Sequence, residues 1–334
     1  MKKVFLCSVA SVFVLALAAG PVTYAQADTI ELRGASQFDE EHAFTRTMRK
    51  FEELVQEYYD GDYELEFVMH LHSELGLERD YFEYMSQGTT VDYAVVAPAH
   101  TSGFSDMAPF MDMPFLFRDL DHWNAVLDSD AFDPLVEDVL ETANVRLIGF
   151  AGGGTRNLIV DRPVETLEDL EDLEIRVMGA PIQTRIFEAI QAAPSVIAYE
   201  EVYNAIQTGV INAAENEAAG LQQMNFYEVA PHISQTEHAI TVRPLAFSNS
   251  TFEMLPEDLQ EAILRAGDEA GRYGREIEST EDSERLQSLV DDGLIELHEF
   301  QDRDMLLEMT EDVRRAYAEE LGAEEILEAV MSIE

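Results

Sequence analysis

The chain has almost no cysteine. Its one thiol, Cys7, sits in an apolar run at the N-terminus of the 334 residues. Lysine is nearly as scarce, with Lys2, Lys3 and Lys50 as the whole complement. "MKK", "VFLCSVASVFVLALAAG" and "AQA" follow the order of a secretory signal peptide: basic start, apolar middle, small-x-small cleavage site. We expect residues 1–27 to be removed ahead of Asp28, sending the protein to the periplasm. Cleavage takes Cys7 with it, which excludes disulfides, thiolate metal sites and cysteine nucleophiles from the mature chain. No later stretch approaches the roughly 20 apolar residues of a spanning helix, so a soluble exported protein is expected.

Cations of either kind are few. The chain holds 67 Asp and Glu against 21 Lys and Arg, and loss of Lys2 and Lys3 takes the net charge from −46 to −48. With 46% hydrophobic residues, this is not the composition of an acidic disordered tail. An acidic surface of this kind suits high salt, where the screening length falls to about 3 Å at 1 M. Nucleic acid is excluded as a partner, because its phosphates would be repelled.

Catalytic signatures are missing as well. "GFAGGGTRN" follows a strand-like run but lacks the third glycine of GxGxxG and the lysine of a P-loop. There is no GxSxG elbow and no HExxH pair. His70 and His72, two apart in a strand-like run, share a face and could bind a metal, or could be plain edge histidines. Acid pairs such as Glu165/Glu168 and Asp169/Asp172 mean little in so acidic a chain. No enzymatic activity, metal or cofactor is expected. A metal-binding transport protein and an exported hydrolase are the alternative functions.

What is present is an alternation of strand and helix patterns. "TIELRGA", "YELEFVMHL", "VDYAVVAP" and "VRLIGFAGGG" read as strands, the last running into a flexible glycine loop. "EHAFTRTMRKFEELVQEYY" places Phe44, Met48, Phe51 and Leu54 on one helical face. "LERDYFEYMSQG", "APIQTRIFEAIQA", "YEEVYNAIQTG" and "EAAGLQQMNFYEVA" also read as helical. Pro256 and acids in the first turn open a long helix at "LPEDLQEAILRAGDEAGRYGREIES". The alternation predicts an α/β protein with largely parallel sheets, of a length that suits two domains. No linker is visible, so crossing strands should join them.

Two arginines stand out against this background. Arg156 follows the glycine run, and Arg176 sits between Ile175 and Val177. A guanidinium grips a carboxylate with two parallel hydrogen bonds, so a buried arginine calls for an anion. That anion is either a ligand or one of the chain's own acids.

Five ordered motifs settle on one comparison: "HSELGLERD", "MDMPFLFRDLDH", "GGGTRNLIVDRPVETLEDLEDLEIRVM", "YEEVYNAIQTGVINAAEN" and "NFYEVAPHISQTEH". Together they resemble the substrate-binding proteins of tripartite ATP-independent periplasmic (TRAP) transporters, of the DctP type. The resemblance runs from about residue 30 through the "LPEDLQ" helix. It implies the two-domain periplasmic solute-binding protein fold, with crossing strands, a long domain-spanning helix and a ligand cleft between the domains. We expect 28–153 plus 242–281 in one domain and 154–241 plus 282–334 in the other. It implies a monomer that captures a small carboxylate and delivers it to the small and large TRAP membrane subunits. By the same resemblance Arg176 is the paired carboxylate contact and Arg156 supports the same or a second anionic group. Asn216 adds a hydrogen bond and Tyr199 packs over the ligand, while Glu78, His100 and Gln37 are the candidates in the other domain. The sequence departs from the family where Glu217 replaces the usual proline of the "QENP" pattern. The hydroxyls of sugar acids such as uronates would suit Glu78, Gln37 and His100 better than plain C4-dicarboxylates, and ectoine-like solutes also fit a salty habitat.

Overall fold

The computed structural model describes residues 29–333; the expected signal peptide, 1–27, lies outside them. The chain begins with β1 (Thr29–Ala35), α1 (Ala43–Tyr58), β2 (Glu64–His70), α2 (Glu78–Gln87) and β3 (Tyr93–Val95). Helices α3 (Leu120–Leu127) and α4 (Asp133–Ala143) lead to a long strand, β4 (Val145–Val160). There follow α5 (Leu167–Leu170), β5 (Glu174–Val177), α6 (Pro181–Ala189), β6 (Ala193–Val196), α7 (Val202–Gln207), β7 (Ala213–Asn216) and α8 (Ala218–Gln223). The second long strand is β8 (His232–Ser248), followed by α9 (Asn249–Phe252) and the 35-residue α10 (Glu257–Asp291). The chain closes with β9 (Glu296–Glu299), α11 (Arg303–Leu321) and α12 (Glu324–Ser332).

The strands form one sheet in the order β2-β1-β3-β8-β4-β7-β5-β6, with β9 added to β8. Its flanks are parallel, as expected: β1 pairs with β2 and β3, and β5 with β6 and β7. Its centre is not. The long strands β4 and β8 pair antiparallel to each other, to β7 and to β3. One end of β8 pairs with β3 and the other with β9, so both long strands cross from one half of the molecule to the other. The molecule is therefore an α/β protein of two domains joined by crossing strands, with α10 spanning both.

Glycine makes this crossing possible. The triplet Gly152–Gly154, expected as a flexible loop, lies inside β4. Gly152 and Gly153 have φ of +110° and +116°, which side chains disfavour, and β4 here gains one residue on β8. Further back, a Cβ on Gly149 would overlap the Gly267 carbonyl of α10, so strand and helix backbones touch. The larger core packs Tyr81, Phe82, Trp123 and Phe247, and a smaller one gathers Ile159, Ile206, Leu221, Phe226 and Ile233.

Of the two readings of His70 and His72, the shared strand face fails, while His70 does end an edge strand. Strand β2 ends at His70, and His72 takes φ +53° in the turn beyond, so the two do not share a strand face. His70 instead lies 3.1 Å from Glu74.

Candidate functional site

Strand alternation explains the "IRV" triplet. Ile175 and Val177 face one side of β5 and Arg176 the other, and all three are buried. The second arginine, Arg156, leaves β4 beside β7, whose last residue is Asn216. Tyr199 opens a 3₁₀ turn just after β6. From the opposite side come Gln37 in the β1–α1 loop, Glu78 at the start of α2, and His100 in the 3₁₀ turn Pro98–Thr101. All seven line one chamber of about 30 Å³. It adjoins a cleft of about 640 Å³ that shares Gln37, Glu78, His100, Arg176 and Tyr199 with it. That larger volume falls in the usual range for a small-molecule site.

The chamber's cations differ sharply. Arg156 is fully engaged: Nε reaches Glu215 Oε2 at 2.5 Å, Nη1 reaches Glu217 Oε2 at 2.5 Å and Asn216 Oδ1 at 3.0 Å, and Nη2 reaches the Glu215 carbonyl at 2.8 Å. Burial works against its charge, but Glu215 and Glu217 hold its pKa above the usual arginine value. Glu215 responds in kind: burial opposes its charge, yet Arg156 and His238 keep it well below the usual carboxylate range.

Arg176 has no such company. Nε donates to the Ile197 carbonyl at 3.0 Å, and among the described residues the guanidinium makes no ion pair. Burial draws its pKa down, offset only in part by more distant acids. Its guanidinium carbon lies 5.5 Å from the centre of the Tyr199 ring, a cation–π distance. Asn216 Nδ2 donates to the Tyr199 hydroxyl at 2.8 Å, so Arg156 positions Asn216 and Asn216 positions the ring beside Arg176.

The other wall offers hydrogen-bonding groups with little charge. Burial raises Glu78 to about 7, against the pull of the Ala97 N–H that donates to it. Gln37 Nε2 donates to the same carboxyl at 3.1 Å. Burial brings His100 down to about 3, with Arg176, Arg243 and Arg156 adding to the effect, so its imidazole is neutral.

Arg243 is the site residue that sequence reasoning missed. It lies in "ITVRPLAFS", an arginine among aliphatics, the same signal that singled out Arg176. Within β8 it reaches Asp112 at 3.4 Å and Glu217 at 3.9 Å. Glu217, noted only for displacing a proline, thus lies between Arg156 and Arg243. Helix α11 supplies a further unexpected wall, through Tyr317, Glu320 and Leu321.

The bacterial extracellular solute-binding protein family 7 (DctP) model matches residues 35–321. The chain belongs to this family. Among DctP relatives, a solute-binding protein of Sulfitobacter sp. (strain NAS-14.1) is 58% identical over 306 residues, 92% of each chain. A crystal structure of a TRAP periplasmic solute-binding protein from Sulfitobacter sp. NAS-14.1, with bound α-D-taluronate, matches at TM-score 0.88 and 57% identity. That match covers 91% of this chain and 97% of the other. A Roseobacter denitrificans OCh 114 protein with bound L-galactonate matches at TM-score 0.82 and 28% identity, covering 92% of this chain and 100% of the other. Membership of the family makes this an extracellular solute-binding protein. Among the described residues, no helix is long and apolar enough to cross a membrane.

Proposed function

We propose that this protein captures a singly charged sugar acid of the uronate class in the periplasm and hands it to a TRAP membrane permease. The observation that carries this is how the chamber's three arginines are paired. Arg156 is matched by Glu215 and Glu217, and Arg243 has Asp112, which leaves Arg176 as the cation lacking an anion. One unpaired guanidinium offers its fork to one carboxylate. A C4-dicarboxylate would bring a second negative charge to a wall that already holds Glu217, Asp112 and a Glu78 near neutrality.

Arg176 then grips the carboxylate in two-pronged fashion, with the Tyr199 ring against the sugar. Glu78, His100 and Gln37 exchange hydrogen bonds with ring hydroxyls across the cleft. Arg156 acts through Asn216 rather than on the ligand. Closure brings 28–153 plus 242–281 against 154–241 plus 282–334, bending where β4, β8 and α10 cross. Sugar-acid ligands in the Sulfitobacter and Roseobacter proteins support this choice of class. Export through cleavage after residue 27, and a surface adapted to high salt, belong to the same proposal.

Calorimetric titration at high salt tests it. Taluronate, galacturonate and glucuronate should include a binder, while succinate and malate should be silent. Tight binding of a C4-dicarboxylate with silence from every uronate overturns the ligand class.

A further inference from the structure

A second cluster lies on the sheet, away from the cleft and unused by it. Strand β9 adds in parallel to the start of β8, pairing His232 with Glu296 and Ser234 with His298. Partners in register, and residues two apart, project from the same face of a sheet. His232, Glu296 and His298 therefore converge on one side of this edge.

The spacing is that of a coordination shell. His232 Nδ1 lies 3.0 Å from His298 Nε2 and 3.5 Å from Glu296 Oε2, and all three ligand atoms lie within 4.8 Å of one another. Bonds of about 2.0–2.2 Å from a tetrahedral ion put its ligand atoms roughly 3.3–3.5 Å apart. Only small side-chain movements separate the two arrangements.

A fourth residue fixes the chemistry of the ring. His298 Nδ1 lies 3.2 Å from Glu165 Oε1. An ionised carboxylate can only accept, so this contact favours the tautomer with its proton on Nδ1, which turns the Nε2 lone pair toward the cluster. A carboxylate behind a ligating imidazole is the usual support for a metal-bound histidine. The two histidine side chains are mostly buried, at 19% and 13% exposure, whereas Glu296 is 72% exposed, which leaves an open side for water or an incoming ion.

We propose that His232, His298 and Glu296 bind one divalent transition-metal ion of the zinc class, with Glu165 as a positioning residue. Two imidazoles and one carboxylate select such an ion over Mg²⁺ or Ca²⁺, which prefer all-oxygen shells. The ion would clip β9 to the start of β8, far along that strand from Arg243 and independent of the organic ligand.

The test uses the mature protein, stripped with chelator and titrated with Zn²⁺ at high salt. We expect one equivalent bound per chain, a rise in melting temperature, and a tetrahedral visible spectrum when Co²⁺ replaces Zn²⁺. The paired change His232→Asn with His298→Gln, which retains polar contacts, should abolish that equivalent. Glu165→Gln should weaken it about 10- to 100-fold, and Arg176→Ala should leave it unchanged. Absence of binding by the wild-type chain overturns the proposal. So does the same stoichiometry in the paired variant, since the ions would then sit on the acidic surface at large.

Discussion

Arg156 and Arg176 are both buried and line the same chamber; one arrives satisfied and the other does not. Arg156 holds two carboxylates, a carbonyl and an amide oxygen, whereas Arg176 holds one backbone carbonyl. The desolvation cost is of the same kind for each, and the difference is what offsets it. A buried cation whose partners are built into the chain is scaffold. A buried cation with its prongs free is a receptor for an anion, and its cost is repaid when ligand arrives.

The comparison predicts opposite effects on stability. Arg156→Met strands Glu215 and Glu217 in a buried chamber, so it should destabilise the apo protein by about 3–5 kcal/mol. Arg176→Met strands no charge and releases only the Ile197 carbonyl, so it should leave apo stability unchanged or raise it. Chemical denaturation of the two variants at high salt measures both. Equal losses would mean that Arg176 has a structural partner after all.

Binding turns the comparison around. Truncating one member of a buried charge pair costs about 2–5 kcal/mol, roughly 30- to 5000-fold in affinity. Arg176→Ala should therefore lose a micromolar sugar acid altogether. Arg176→Lys should bind poorly too, because the charge stays but the fork is gone. Calorimetry on folded protein decides; near-normal binding by Arg176→Ala sinks the anchor assignment.

How much of this was legible beforehand depends on what surrounds each residue in sequence. Arg176 was readable because its anomaly is local, a cation inside an apolar strand. Arg243 carries the same anomaly, but β8 is harder to see. Glu237 takes φ +45° within it, and Pro244 and polar residues such as His232, Gln235 and His238 break the apolar pattern. The glycine triplet read as a loop because glycine usually breaks strands. Here the close passage of α10 and the bulge against β8 require it, and neither partner is near in sequence. Helix α11 went unread, and with it the cleft wall formed by Tyr317 and Glu320. The partners of Arg156 were also hidden: with 67 acids in the chain, nothing local marks Glu215 and Glu217 as the ones it meets.

The same contrast extends to the acids, at smaller cost. Glu215 has its cation, whereas Glu78 and Glu278 are raised to about 7 and Asp282 to about 6, chiefly by burial. Glu278 accepts from the Thr241 hydroxyl and the Gly154 N–H, with Glu217, Arg243 and Asp282 facing it. Asp282 accepts from the Thr155 and Ala218 N–H groups. A carboxyl with a raised folded-state pKa binds its proton more tightly in the native state. The benefit is full below the unfolded value, near 4.3, and is lost as pH rises through 6–7. Apo stability should fall between pH 5 and 8, by roughly 1–3 kcal/mol for each of these carboxyls. Glu278→Gln should make that slope shallower, with Glu78 and Asp282 supplying what remains. A melting temperature that rises over this range would show that these acids find cations in solution.

Tyr199 joins the two arginines, and substitution there should give the smallest effect. Its hydroxyl receives Asn216, which Arg156 holds, while its ring lies 5.5 Å from the Arg176 guanidinium. Tyr199→Phe removes only the hydroxyl, a net hydrogen bond worth about 1 kcal/mol, so affinity should drop no more than about fivefold to tenfold. Tyr199→Leu removes the ring as well. It loses the cation–π contact and the edge-on packing against Phe38 and Phe226, at 6.3 and 5.8 Å between ring centres, and should bind distinctly more weakly than the Phe variant. If Tyr199→Phe is instead as damaging as Arg176→Ala, the hydroxyl touches the ligand directly. The line from Arg156 through Asn216 would then be part of the binding surface, and the division between scaffold and receptor would have to be drawn one residue further out.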